Sequence, residues 1–217
     1  MTVTLQVALD RIPLEEAEAI TRAVRADADW IEVGTSLIKH YGLSGVQRIV
    51  RAAAGTPVLA DFKIADDART EVSMAARAGA RSVTVLGLSS ARTVALAVET
   101  AAGLDIELMI DLMELDAAGR ARVAAAVPQR AVLAAHVPKD AQGGVSGPAA
   151  LLGEWAVGRR LAMAGGLGLG DLPTLAELPD VRLIIGSAIS AAADPAAAAA
   201  AFRAAIVALS TIDLEFA

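Results

Sequence analysis

Short runs rich in Val, Ile and Leu recur along the chain, separated by longer alanine-rich stretches whose apolar residues fall at helical spacing. Eight runs read as strands: 3–9, 30–33, 58–62, 82–86, 106–110, 131–135, 161–164 and 181–185. Each is followed by a segment long enough for a helix. Near-continuous apolar strands are what a parallel sheet covered on both faces requires. Helix starts are marked as well. Pro13-Leu14-Glu15-Glu16 puts proline and acids in a first turn, Ser89 or Ser90 can cap a helix running to about residue 102, and Asp194-Pro195 opens the last one.

This alternation predicts an α/β protein, specifically a (β/α)8 TIM barrel forming one domain over residues 1–217. Eight units in this length leave fewer than about 30 residues each, near the lower limit for such a barrel, so large insertions are not expected. A doubly wound sheet is the alternative, but its nucleotide-binding signature is missing. Gly165-Gly166-Leu167-Gly168-Leu169-Gly170 is not G-x-G-x-x-G and falls late in the chain, and no G-x-x-x-x-G-K-[ST] occurs.

Composition narrows the chemistry. There is no cysteine and there are only two histidines, His40 and His136, which excludes thiolate catalysis, disulfides and Cys- or multi-His-ligated metal. Any metal must sit on carboxylates. A net charge of −6, without clustered Lys and Arg, speaks against nucleic acid as a partner. Mean hydropathy is high, at +0.54. Yet the most apolar stretch, 191–209, is mostly alanine and is broken by Asp194, Pro195 and Arg203, so no membrane span is expected. The opening MTVTLQVALD lacks a basic region and reaches an acid within ten residues, unlike a signal peptide. A cytoplasmic location is the expectation.

In a barrel of this kind chemistry sits at the C-terminal strand ends. Polar groups cluster there: Asp10 after strand 1, Glu32 in strand 2, Asp61 and Lys63 at strand 3, Asp111 after strand 5 and His136 after strand 6. Side chains alternate along a strand, so Asp61 and Lys63 share one face while Phe62 and Ile64 take the other. Lys63, flanked by Asp10, Asp61 and Asp66, can be read as a structural ion network. A carboxylate-rich mouth with one lysine also suits Mg2+ and an anionic intermediate. His136 is a candidate for proton transfer. His40, beside Lys39 and Tyr41, reads as a solvated loop residue. Gly165, Gly166 and Gly186, after strands 7 and 8, offer backbone N–H groups that a phosphate can approach. Arg81, Arg130 and Arg182 begin strands 4, 6 and 8 and so belong to the opposite, stabilising end.

The segments Leu5-Gln6-Val7-Ala8-Leu9-Asp10, Glu32-Val33-Gly34-Thr35, Val58-Leu59-Ala60-Asp61-Phe62-Lys63-Ile64-Ala65-Asp66, Val83-Thr84-Val85-Leu86-Gly87, Ala164-Gly165-Gly166 and Ala192-Ala193-Asp194-Pro195-Ala196 resemble, in order, the orotidine 5′-phosphate decarboxylase superfamily. The similarity runs from about Leu5 to Leu209. The D-x-K-x-x-D element at Asp61, Lys63 and Asp66 is its most diagnostic part. The branch resembled is that of 3-hexulose-6-phosphate synthase, with 3-keto-L-gulonate-6-phosphate decarboxylase as its sister.

This resemblance implies a Mg2+-dependent carbon–carbon lyase acting on a sugar phosphate through a cis-enediolate. It puts Glu32 and Asp61 at metal positions, Lys63 on the enediolate oxygens, Asp10 orienting Lys63 or the substrate, and His136 moving protons. It also implies a homodimer in which Asp66 reaches the neighbouring subunit's site. Asp111 and Ala164 match the synthase branch, while Lys139 stands where the decarboxylases carry arginine. Two departures are visible. Asp66-Asp67-Ala68 replaces the family's Asp-Ala-Gly, which narrows the backbone options at Ala68. Gly186-Ser187-Ala188 lacks the arginine of many superfamily phosphate sites, so phosphate is expected to rest on backbone amides and Ser187. The expected reaction joins D-ribulose 5-phosphate to formaldehyde. The decarboxylase reaction and a non-catalytic sugar-phosphate binder are the alternatives.

Overall fold

The computed structural model describes residues 2–142, 147–175 and 177–212. Eight parallel strands close in sequence order into a barrel, with β8 returning to β1. They are β1 (Thr2–Leu9), β2 (Trp30–Val33), β3 (Val58–Ile64), β4 (Ser82–Leu86), β5 (Glu107–Asp111), β6 (Val132–His136), β7 (Arg160–Ala164) and β8 (Asp180–Ile185). The helices are α1 (Leu14–Val24), α2 (Thr35–Ala53), α3 (Ala68–Arg77), α4 (Ala91–Gly103), α5 (Ala117–Ala126), α6 (Leu172–Leu175), α7 (Ser187–Ser190) and α8 (Pro195–Ile212). This is the (β/α)8 barrel that the alternating pattern predicts.

Period-two alternation divides each strand between two environments. Leu5, Val7 and Leu9 of β1 point outward, where they meet α1 and α8 residues such as Leu14, Ile20, Phe202 and Ile206 in the main core. Inside the barrel, Leu59, Met109, Val132, Ala134 and Ala162 form a separate apolar layer against Trp30 and Ile184. Each Val, Leu, Ile, Phe or Met side chain fully withdrawn from water in these layers contributes about 1.5–3 kcal/mol, and the inner layer also plugs the lumen. Polar side chains are thereby confined to its two ends.

Helix starts follow the local chemistry. Ser90 Oγ accepts the Thr93 N–H at 3.0 Å, Asp116 the Gly119 N–H at 2.6 Å and Asp194 the Ala197 N–H at 3.0 Å. Each such cap is worth about 1 kcal/mol. Two expectations need correction. The β6–β7 connection carries only short 3-10 turns among its described residues, at Lys139–Ala141, Pro148–Leu151 and Glu154–Ala156. Pro138, Pro148 and several glycines there deny a continuous helix its backbone bonds. His40 lies within α2, exposed and beside the Tyr41 ring, rather than in a loop. Arg182 lies at the N-terminal end, as its place at a strand start predicts, and its side chain turns into the lumen, 4% exposed.

Candidate active site

The C-terminal strand ends open on a cavity of about 910 Å³ that brings together Asp10, Glu32, Asp61, Lys63, Asp111, Lys139 and His136 with Gly165, Gly166, Gly186 and Ser187. Asp61 and Lys63 both face it, as the strand period requires. Between Ala60 and Ile64, however, β3 shifts register against β4, and Lys63 itself adopts a left-handed backbone, φ +48°. Thr84, on the inner face of β4, takes up the slack. Its Oγ1 accepts the Lys63 N–H at 2.8 Å and donates to Asp61 Oδ1 at 2.7 Å.

Lys63 Nζ lies 3.0 Å from Asp61 and 2.8 Å from Asp111. Burial acts most strongly on this ammonium, and downward, but the two carboxylates together outweigh it and hold the group above its ordinary value. Asp111 Oδ2 also meets His136 Nδ1 at 2.8 Å, and the Met113 N–H donates to its other oxygen at 3.0 Å. Burial would raise this carboxyl; the His136 bond and the Lys63 charge overcome it and keep it at about 2. An ionised Asp111 accepts the Nδ1–H, which leaves Nε2 of a neutral His136 ring with a free lone pair.

Glu32 is treated in the opposite way. Burial, followed by the negative charge of Asp61, pushes its carboxyl up to about 7 despite Lys63 and a 2.5 Å bond from Gln6 Nε2. Asp61 is held from both sides, by Thr84 and by Thr35 Oγ1, which donates to Asp61 Oδ2 at 2.6 Å.

Beyond this cluster the expected residues separate. Asp10 does not touch Lys63. Its carboxylate bonds both the N–H and the hydroxyl of Ser36, in the first turn of α2, because β1 ends directly beside that helix start. Asp66 is exposed, outside the cavity, and accepts the Asp67 N–H. Ala68 needs no unusual backbone. It is the buried first residue of α3, and the left-handed turn falls on Asp67, φ +47°, a residue type that tolerates it. Among the described residues Lys139 Nζ reaches only the Gln142 amide, at 3.2 Å. Gly165 is obligatory: φ is +115°, and a Cβ would stand 2.6 Å from the Val137 carbonyl oxygen.

Residues 4–202 match a family model described as Orotidine 5'-phosphate decarboxylase / HUMPS family. The chain belongs to this family. It is 35% identical to the 3-hexulose-6-phosphate synthase of Mycobacterium gastri, over 93% of this chain and 99% of that protein. The crystal structure of 3-hexulose-6-phosphate synthase from Salmonella typhimurium superposes with a TM-score of 0.85 at 30% identity, covering 95% and 99% of the two chains. A ligand-bound crystal structure of KGPDC from Streptococcus mutans gives 0.83 at 25% identity, covering 95% and 98%. Enzymes of this HUMPS branch are carbon–carbon lyases.

Within this family frame, the donor set can be weighed for a cation. Among the described residues no three acids or histidines converge into a protein-only metal cage. Glu32 and Asp61 instead form a pair of adjacent buried carboxylates, in which burial first and the Asp61 charge second disfavour the ionised Glu32. Mg2+ is bound through one or two carboxylates with the remaining positions on water and substrate, so the pair fits it. Several supporting residues lay outside the sequence reading: Gln6, Ser36, Thr84 and the Met113 N–H. Thr84 and Gln6 had one available signal, a polar residue at inward parity in an apolar run.

Proposed function

We propose that this protein is a Mg2+-dependent aldehyde-lyase of the 3-hexulose-6-phosphate synthase type, joining D-ribulose 5-phosphate to formaldehyde. The observation that carries this reading is the Asp111-centred array, with Lys63 and His136 bonded to one carboxylate oxygen beside the Glu32 and Asp61 pair. Glu32 and Asp61 would hold Mg2+, which supplies positive charge against the negative charge that develops on substrate oxygens. Nε2 of neutral His136 takes a proton from C1 of the sugar phosphate, and the electron pair moves onto the C2 oxygen. The Lys63 ammonium, fixed by Asp61 and Asp111, stabilises that oxygen. The enediolate carbon then bonds the formaldehyde carbon, and the formaldehyde oxygen recovers the proton from His136.

Asp111 keeps both partners charged or oriented as the step needs. The phosphate rests on the loops after β7 and β8, at Gly165, Gly166, Gly186 and Ser187. Asp66, turned away from its own cavity, supports a homodimer in which it serves the partner's site. The cytoplasm, where phosphorylated sugars are retained, is the compartment that suits this substrate. Lys139, at the cavity rim with only an amide as partner among the described residues, favours 3-keto-L-gulonate 6-phosphate decarboxylation as the second reading.

The test is to supply the purified protein with Mg2+, D-ribulose 5-phosphate and formaldehyde and follow formaldehyde loss. The proposal expects turnover that EDTA abolishes and that Lys63→Ala lacks. CO2 release from 3-keto-L-gulonate 6-phosphate without formaldehyde loss would establish the second reading. Tight sugar-phosphate binding with neither reaction would make the protein a binder.

A further inference from the structure

The chain leaves β1 through Asp10, Arg11 and Ile12, and Arg11 adopts a left-handed backbone, φ +55°. Residues with a side chain rarely do so, and such strain persists where surrounding bonds enforce it. Here they do. The Arg11 N–H donates to Ser36 Oγ at 3.2 Å, and Ser36 is tied in turn to the Asp10 carboxylate. Arg11 lines the mouth cavity and is exposed, and among the described residues its guanidinium has neither an acidic nor a hydrogen-bonding partner.

The charge balance of the cavity gives this free cation a use. Its acids are Asp10, Glu32, Asp61, Asp111 and Asp140; its cations are Arg11, Lys39, Lys63 and Lys139. Lys63 is consumed by Asp61 and Asp111. Lys139 sits after β6, three strands from β1. The loop after β8, Gly186-Ser187-Ala188, carries no charge. Among the described residues its three backbone N–H groups have no acceptor. β8 pairs directly with β1, from Thr2↔Asp180 to Val7↔Ile185, so Arg11 emerges beside that loop. A dianion seated there would need a cation, and a planar guanidinium fork matches two phosphate oxygens.

We propose that Arg11 is the cationic anchor of the phosphate subsite, supplying from the β1 loop the charge that the β8 loop lacks. This rests on the sugar-phosphate reading above and assigns its affinity for the phosphate group to one residue. The left-handed backbone is the geometry that the Asp10–Ser36 pair imposes to present it.

The experiment measures dissociation constants for inorganic phosphate and D-ribulose 5-phosphate by 31P NMR titration, together with kcat and KM. Wild type, Arg11→Ala, Arg11→Lys, Arg11→Gly and Lys39→Ala are compared. Arg11→Ala is expected to weaken both ligands about tenfold to hundredfold, the range for losing charge-assisted bonds. KM rises with them, and kcat stays within about threefold. Arg11→Lys recovers part of the affinity. Arg11→Gly is the decisive variant: it relieves the backbone strain, so a purely structural Arg11 predicts an equal or better protein, while the subsite predicts the full loss of phosphate affinity. Unchanged phosphate affinity in Arg11→Ala and Arg11→Gly, or a larger loss in Lys39→Ala, overturns the proposal. If wild type turns over and these variants match it, only this inference falls. If wild type binds phosphate through Arg11 but catalyses nothing, the proposed function falls and this inference stands.

Discussion

Two sets of charged side chains flank the Leu59–Met109–Val132 layer of the lumen, one at each end, and they are built differently. At the N-terminal end Arg182 pairs with Glu107 at 2.9 Å, stacks 3.9 Å over the Trp30 ring and reaches Gln6, while Arg160 adds a second bond to Glu107 at 3.1 Å. Its principal cations are guanidiniums that do not release protons in water, and its strands run in regular register. At the C-terminal end, Lys63 sits on a left-handed residue within a register shift, two acids crowd together, and a histidine shares a carboxylate with the lysine. The first set is paired within itself and lines no part of the mouth cavity, although Glu107 Oε1 and Arg182 Nε lack hydrogen bonds among the described residues; the second faces that cavity and includes Glu32, whose ionised form burial and the Asp61 charge disfavour. That difference, more than the number of charges, marks where chemistry belongs.

Substitutions at the two ends should therefore fail in different ways. The largest effect is expected from His136→Gln and Lys63→Ala, which lower turnover by about 10²–10⁴-fold, as removal of a proton-transfer group or an oxyanion donor does. Steady-state kinetics on folded protein checks this. Arg182→Met leaves the partly buried Glu107 with Arg160 alone and is expected to cost about 2–3 kcal/mol in denaturant unfolding, with turnover of the folded protein little changed. Equal catalytic losses at both ends would erase the distinction.

A subtler contrast is one of pH. Glu32 has a folded-state value near 7, above that of an exposed carboxyl, so its protonated form is the one the fold prefers. Metal-free protein should lose stability as pH rises through roughly 4.5 to 7, by about 3 kcal/mol in all, and no further above that window. Glu32→Gln should flatten the profile, and Mg2+ should offset the loss. Asp111 has the opposite sign. Held at about 2, it stabilises the fold at every pH above the ordinary carboxylate range and withdraws that contribution only as pH falls toward 2. Melting curves from pH 4.5 to 8 should thus report Glu32 and not Asp111. The smallest effect is expected at the exposed Arg69–Glu99 pair, 3.1 Å apart, where Arg69→Ala should change stability by no more than about 0.5 kcal/mol.

Much of this was legible in the chain because two periods carry most of the information. Apolar runs located all eight strands, and inward parity put Asp61 and Lys63 on the same face. What escaped depended on approach between distant segments. Nothing near Asp10 announces that Ser36 will claim its carboxylate in place of Lys63. The register shift at Asp61–Lys63 leaves the alternation intact and so leaves no trace in it. Gln6 stands out only as a polar residue at an inward position, and nothing in its run says that its amide will hold Glu32. Arg182 reads as a strand start, yet strand tilt and an inward parity carry it into the lumen. Between β6 and β7 the segment is long enough for a helix, and proline and glycine overrule length.

The central claim is that the cavity end of the barrel removes a proton beside the carbonyl of a sugar phosphate. Proton NMR of D-ribulose 5-phosphate in D2O, with protein and Mg2+ but no formaldehyde, tests it most directly. One C1 hydrogen should exchange for deuterium, with the exchange lost in His136→Gln and retained in Arg182→Met. A C1 signal that persists undiminished alongside wild-type protein that binds the sugar phosphate would contradict the assignment.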